Sequence, residues 1–170
     1  MSTTSNAEYT DILTRAREMA GAESGQVGTG YLLLAILTGS GTAARTLSLR
    51  GLTETQVRNA IRELAPEPAQ SVNDVDQRTQ QMAATFGSRE PSSLHLLAAL
   101  SAVRESHAHQ ILAGAGLNTD VIRNQALRCL TTSFTREHGP NDPGPGRSSS
   151  APGEALPLHE PVHSARPRGV

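Results

Sequence analysis

The side chains that could do chemistry in this 170-residue chain are six histidines, one cysteine, a glycine-rich turn and a repeated pair of arginines. A metal site needs ligands that converge. His107 and His109 are two apart, which on a helix turns their side chains about 200° away from each other and keeps them from one ion. His138, His159 and His163 fall in a Pro-rich stretch, and His95 stands alone at the apolar edge of a helical segment. No HExxH, no second cysteine and no carboxylate cluster at ligand spacing accompanies them. The expectation is no metal, no cofactor and no catalytic residue. Gly39-Ser40-Gly41-Thr42 has the glycines of a phosphate loop without its Gly-Lys-Ser/Thr ending. It could offer free N–H groups to an anion, but a break between helices is the simpler reading. Cys129 sits at an internal position of a helical stripe, where an apolar setting raises a thiol pKa and leaves it inert. Arg58 and Arg123 are read as solvated or as a symmetric pair of partner contacts.

Composition removes further classes. All 15 basic residues are Arg. Without Lys there is no P-loop to reach the β- and γ-phosphates and no Schiff-base amine. A net charge of −1 speaks against a nucleic-acid partner held by phosphate neutralisation. No apolar run approaches the roughly 20 residues that span a bilayer. The polar stretch from Met1 to Tyr9 has neither the basic nor the apolar region of a leader. One cysteine fits a reducing compartment. A cytoplasmic location with no membrane contact is expected, and a core built from aliphatic residues, since the chain has two Tyr, two Phe and no Trp.

The elements that position these residues come twice. With an offset of 63, Arg15, Met19 and Ala20 meet Arg78, Met82 and Ala83, and Leu33, Leu34, Ala35 and Leu37 meet Leu96, Leu97, Ala98 and Leu100. With an offset of 65, Leu47, Gly51, Leu52, Arg58 and Asn59 meet Leu112, Gly116, Leu117, Arg123 and Asn124. Matches in this order describe a duplication. Each copy reads as four helices. In the first copy, Tyr9, Ile12, Ala16, Met19 and Ala20 form a stripe at helical spacing. Thr29 is expected to cap the segment carrying Leu33, Leu34, Ile36 and Leu37. A short helix follows over 42–49, and Gly51 suits the left-handed position beyond its end. Thr53 and Gln56 form a capping box for a helix burying Val57, Ile61 and Leu64. In the second copy, Val72, Val75, Thr79, Met82 and Phe86 form the stripe, Ser92 or Ser93 caps the Leu96 helix, and a third helix covers about 105–113. Asn118 then caps a helix with Ile122, Ala126 and Cys129 inside.

The runs GTGYLLLAIL (28–37), RGL (50–52) and VRNAI (57–61), echoed by PSSLHLLAAL (91–100) and AGL (115–117), resemble the Clp N-terminal double-repeat (Clp R) domain of the ClpA and ClpC unfoldases. The resemblance covers about residues 8–131. It implies an all-α bundle of eight helices, made of two tandem four-helix repeats with pseudo-two-fold symmetry. It also implies work as a non-catalytic protein- or peptide-binding module. The partners implied are Clp ATPase or protease subunits, adaptors or substrate segments. Without Lys or an ATPase module, the chain is similar to stand-alone ClpT-like accessory proteins; a regulatory peptide-binding scaffold unrelated to proteolysis is the alternative. Some ClpC domains use the Glu of a GTEH motif to bind phosphoarginine. The matching positions are Gly30 and Ser93, with Tyr31 and Leu94 at the His position, so that charge-assisted contact is not expected. Gly30, Tyr31, Ser93 and Leu94 are instead the expected partner-binding residues, with unmodified hydrophobic segments as ligand.

The expected organisation is a flexible N-terminus over 1–7, repeat 1 over 8–65, a linker over 66–71, repeat 2 over 72–131 and a tail over 132–170. From His138 onward the chain holds seven of its ten prolines with clustered Gly and Ser, a composition expected to remain disordered, with a possible phosphosite or short motif around Ser148, Ser149 and Ser150.

Overall fold

The computed structural model describes residues 4–23 and 26–137. Among these are eight helices and no strand: α1 Thr4–Glu23, α2 Thr29–Leu37, α3 Thr42–Leu49, α4 Glu54–Glu63, α5 Ala69–Thr85, α6 Ser93–Ala102, α7 His107–Gly114 and α8 Thr119–Glu137. The two halves follow one plan. Leu33 and Leu96 are fully buried, as are Leu47 and Leu112, and Val57 and Ile122. α3 and α7 end alike: Leu52 N donates to Leu47 O, Leu117 N to Leu112 O, and Gly51 and Gly116 take φ of 83° and 75°. Only glycine adopts that left-handed position without cost, and it satisfies the last carbonyls of each short helix. Gly87 repeats the device at the end of α5, where Ser88 N donates to Ala83 O.

α2 and α6 lie at the centre and touch each other. Neither has a polar face, since from Thr29 to Ile36 and from Ser93 to Ser101 every residue is buried. A helix apolar on all sides must be covered on all sides. α1, α3 and α4 cover α2 from its own half, and α5, α7 and α8 cover α6; α7 also packs on α2, and α3 on α6. The halves therefore interlock. Tyr9 ties the outer helices together, its hydroxyl donating to Asp76 Oδ1 at 2.8 Å. Burial and that carboxylate push its phenol well above the usual range.

Several boundaries move. α1 includes residues 4–7, which were expected to be a flexible lead. α5 begins at Ala69, because Pro68 with φ of −60° is already set for a helix start, so the connector is shorter than 66–71. α8 continues to Glu137, six residues past the expected end of repeat 2 at 131. α7 starts at His107, not near Glu105, because Ser106 Oγ accepts from His109 N at 3.2 Å and caps it. The capping box of Thr53 and Gln56 is present, and Asn118 Oδ1 accepts from Val121 N. Cys129 lies half-buried at the core's edge, and Leu130 fills the interior instead. Residues 138–170, with the serines at 148–150, lie outside the described residues, as do residues 1–3.

Candidate functional site

A cleft of about 450 Å³ opens where the start of α2 meets α4, α7 and the connector between the halves. Its apolar wall is Val27, Tyr31, Ile61, Leu64 and Val72. Its polar end is Glu67, set between Pro66 and Pro68. Glu67 is nearly closed off from solvent, with its side chain 4% exposed. Oε2 accepts from Thr29 N at 2.5 Å, and Oε1 accepts from Thr29 Oγ1 at 2.5 Å and from His107 N at 2.7 Å. Thr29 and His107 are the first residues of α2 and α7, so one carboxylate satisfies orphan donors of two helices. Thr29 Oγ1 in turn accepts from Ala108 N at 3.0 Å. The expected capping role of Thr29 is thus corrected: Gly28 is the N-cap of α2, and the Thr29 hydroxyl reaches across to α7. Gly28 must be glycine for this closeness, because a Cβ there would stand 2.7 Å from Glu67 Oε2.

Glu23 and Arg62 at the edge of the cleft belong to a charged frame. Arg58 pairs with Glu54 at 2.9 Å and with Glu23 at the end of α1, and Arg62 lies 3.8 Å from the same Glu23. Among the described residues Arg123, the expected counterpart of Arg58, pairs with Asp120 of its own helix at 3.0 Å. The two arginines are therefore not equivalent.

Two of the four expected partner-binding residues, Gly30 and Tyr31, line this cleft. Tyr31 is only 5% exposed, so it contributes floor rather than a projecting contact. A Cβ on Gly30 would come 2.8 Å from Ile61 Cγ1 and 3.3 Å from Ile111 Cδ1, so a longer side chain fits only if Ile61 shifts. Ser93 lines a separate cleft of about 220 Å³ with Glu8, Asp11 and Arg15. Leu94 is buried in the core. The structure thus brings the first pair to an apolar cleft and leaves the second pair apart from it.

The histidines take unrelated roles. His109 Nδ1 donates to Ser101 O at 2.9 Å, while His107 Nδ1 lies 3.9 Å from Glu67 Oε2. His95 is 1% exposed, and its Nδ1 accepts from Ser92 N at 3.1 Å. That bond places the proton on Nε2, which is buried without a partner. Burial pushes the imidazole below its ordinary pKa. No group of three His, Cys, Asp or Glu side chains among the described residues could hold a metal ion. No single helix among them is long and apolar enough to cross a membrane.

Glu67 gives little signal in the sequence: it is an acid locked between two prolines, in a stretch that reads as a connector.

Eight helices in two interlocked fours, with the second helix of each at the centre, define the Clp N-terminal-domain fold. The chain is similar to the N-terminal domain of Hsp104 from Candida albicans, with a TM-score of 0.60 and 16% identity over 71% of this chain and 87% of that one. No protein-family model matches the sequence. No curated protein matches it either.

Proposed function

We propose that this chain is a non-catalytic protein- or peptide-binding module whose receiving surface is the cleft between α2, α4 and α7. The observation that carries the reading is the cleft itself: an open apolar wall of Val27, Ile61, Leu64 and Val72 beside a polar end whose donors are already engaged. Such a surface binds an apolar segment by burial, and its buried carboxylate, Glu67, is engaged by the amides of Thr29 and His107. The likeness to a domain that typically receives substrates or adaptors for Clp/Hsp100 ATPases supports the same reading. Within it, the chain serves as an accessory or adaptor beside a cytoplasmic Clp ATPase–protease system.

The chain has no Trp, so a Trp-bearing, uncharged apolar peptide reports its own binding by fluorescence. Saturable binding that is lost in Val72→Asp, with helical circular dichroism retained, supports the cleft. Co-purification with Clp subunits that the same substitution abolishes supports the adaptor role. Absence of peptide binding, or binding that Val72→Asp leaves intact, overturns the proposal.

A further inference from the structure

The polar end of the cleft already holds an anion. Each helix N-terminus carries roughly half a positive charge. The starts of α2 and α7 together therefore present about +1, and the Glu67 carboxylate, with bonds from Thr29 and His107, supplies −1. The crossing is neutral because the connector fills it. Building on the docking proposed above, we infer that Glu67 is the specificity-determining residue of the cleft: an internal carboxylate that closes this end to acidic ligands and leaves the cleft to uncharged segments. An incoming carboxylate or phosphate finds the donors taken and no net positive charge left to receive it. The positive charges nearby do not restore attraction. Arg58 is committed to Glu54 and Glu23, and Arg62, with its side chain 64% exposed beside Glu23, is screened by solvent.

In the other half a carboxylate comes near two helix starts without bonding to them among the described residues: a Cβ on Gly41, the N-cap of α3, would stand 2.7 Å from Glu8 Oε1 and 3.5 Å from Ser93 Oγ, at the start of α6. The hydrogen bonds that Glu67 accepts from two amides set the cleft apart.

The test uses the full chain and three capped peptides, acetyl-Trp-Leu-Xaa-Leu-Leu-amide, with Xaa as Asn, Asp or Arg. Wild type is expected to bind the Asn peptide at least tenfold more tightly than the Asp peptide, with the Arg peptide near the Asn one. Glu67→Gln removes the negative charge and one of the two acceptor oxygens, leaves the helix starts a net positive charge, and brings the Asp peptide to within threefold of Asn, or past it. Gly28→Ala, whose methyl group pushes the Glu67 carboxylate out, moves the ratio the same way and serves if Glu67→Gln does not fold. Equal binding of Asn and Asp peptides by wild type, or an unchanged ratio in the folded variants, overturns the assignment of Glu67 while the cleft stands as a docking site. Absence of binding by all three peptides overturns the docking proposal and this inference with it.

Discussion

Replacing Thr29 with Val tests the junction that holds the two halves together. The side chains are nearly isosteric and the site is fully buried, so the change removes an oxygen and leaves no cavity. Two interactions go. The hydroxyl no longer donates to Glu67 Oε1, a charge-assisted bond worth about 1.5–3 kcal/mol. Ala108 N, which the hydroxyl accepted at 3.0 Å, becomes a buried orphan at a cost of roughly 1–3 kcal/mol. The Thr29 amide still donates to Glu67. A loss of about 3–5 kcal/mol is expected, against a typical total of about 5–15 kcal/mol for a domain. For a folded region of this size that is a drop of roughly 10–18 °C in Tm. Urea titration with an unchanged m-value measures it, and hydrogen exchange at Ala108 locates it. Thr38→Val is the control, since that exposed hydroxyl touches only carbonyls of its own helix, Leu34 O and Ala35 O. A loss below about 1 kcal/mol for Thr29→Val, or no greater than for Thr38→Val, would mean that the crossing of α2 and α7 is held by packing alone.

Leu33→Ala and Leu96→Ala remove equivalent, fully buried side chains and are each expected to cost about 2–5 kcal/mol by denaturant titration; a wild-type melt for either refutes the paired register. Gly51→Ala and Gly116→Ala meet no atom within 4 Å, so each should cost only the left-handed strain of about 1–2 kcal/mol, with similar values for the two and smaller ones for Asn. His95 is held neutral by burial, so its folded pKa lies below the unfolded value near 6.5. The unfolded chain then binds more protons as pH falls through about 6.5 toward the folded pKa, and stability drops across that window while staying level above it. His95→Gln should flatten this part of the pH–stability curve, and an unchanged slope refutes the assignment.

The helical plan was legible because its signals are local. Leucines spaced for a helix, the Thr53–Gln56 box and glycines after α3 and α7 each act within one turn of chain. The surroundings of the expected partner-binding residues were less legible. GTGYLLLAIL and SSLHLLAAL supply no polar face, and a helix of that kind is surrounded, so Tyr31 and Leu94 pack inward, Tyr31 as the floor of the cleft. Glu67 was not legible at all, because its partners lie 38 and 40 residues away on two helices whose crossing is tertiary. The same holds for Gly30, whose need for glycine comes from Ile61 on a different helix.

That the cleft lined by Glu67 forms at the start of α2 follows from connectivity. The repeat pairs Leu64 with Cys129, the last matched positions of α4 and α8. At Leu64 the chain must leave α4 to begin the second copy, so the residue turns extended, with ψ of 143°, and Pro66 and Pro68 prevent the helix from resuming. At Cys129 the helix does not stop; α8 runs on to Glu137, and Leu130 closes the interior. Thus α6 is covered along its length by α8, while the departing connector passes beside the start of α2 and supplies Leu64, Ala65, Pro66 and Glu67 to the cleft. The five-residue exit, Leu64–Pro68, supplies Leu64 to the apolar wall and the internal carboxylate of Glu67. A duplicated domain whose core positions pair is in this way asymmetric in its surface, and the asymmetry sits at the junction between its copies.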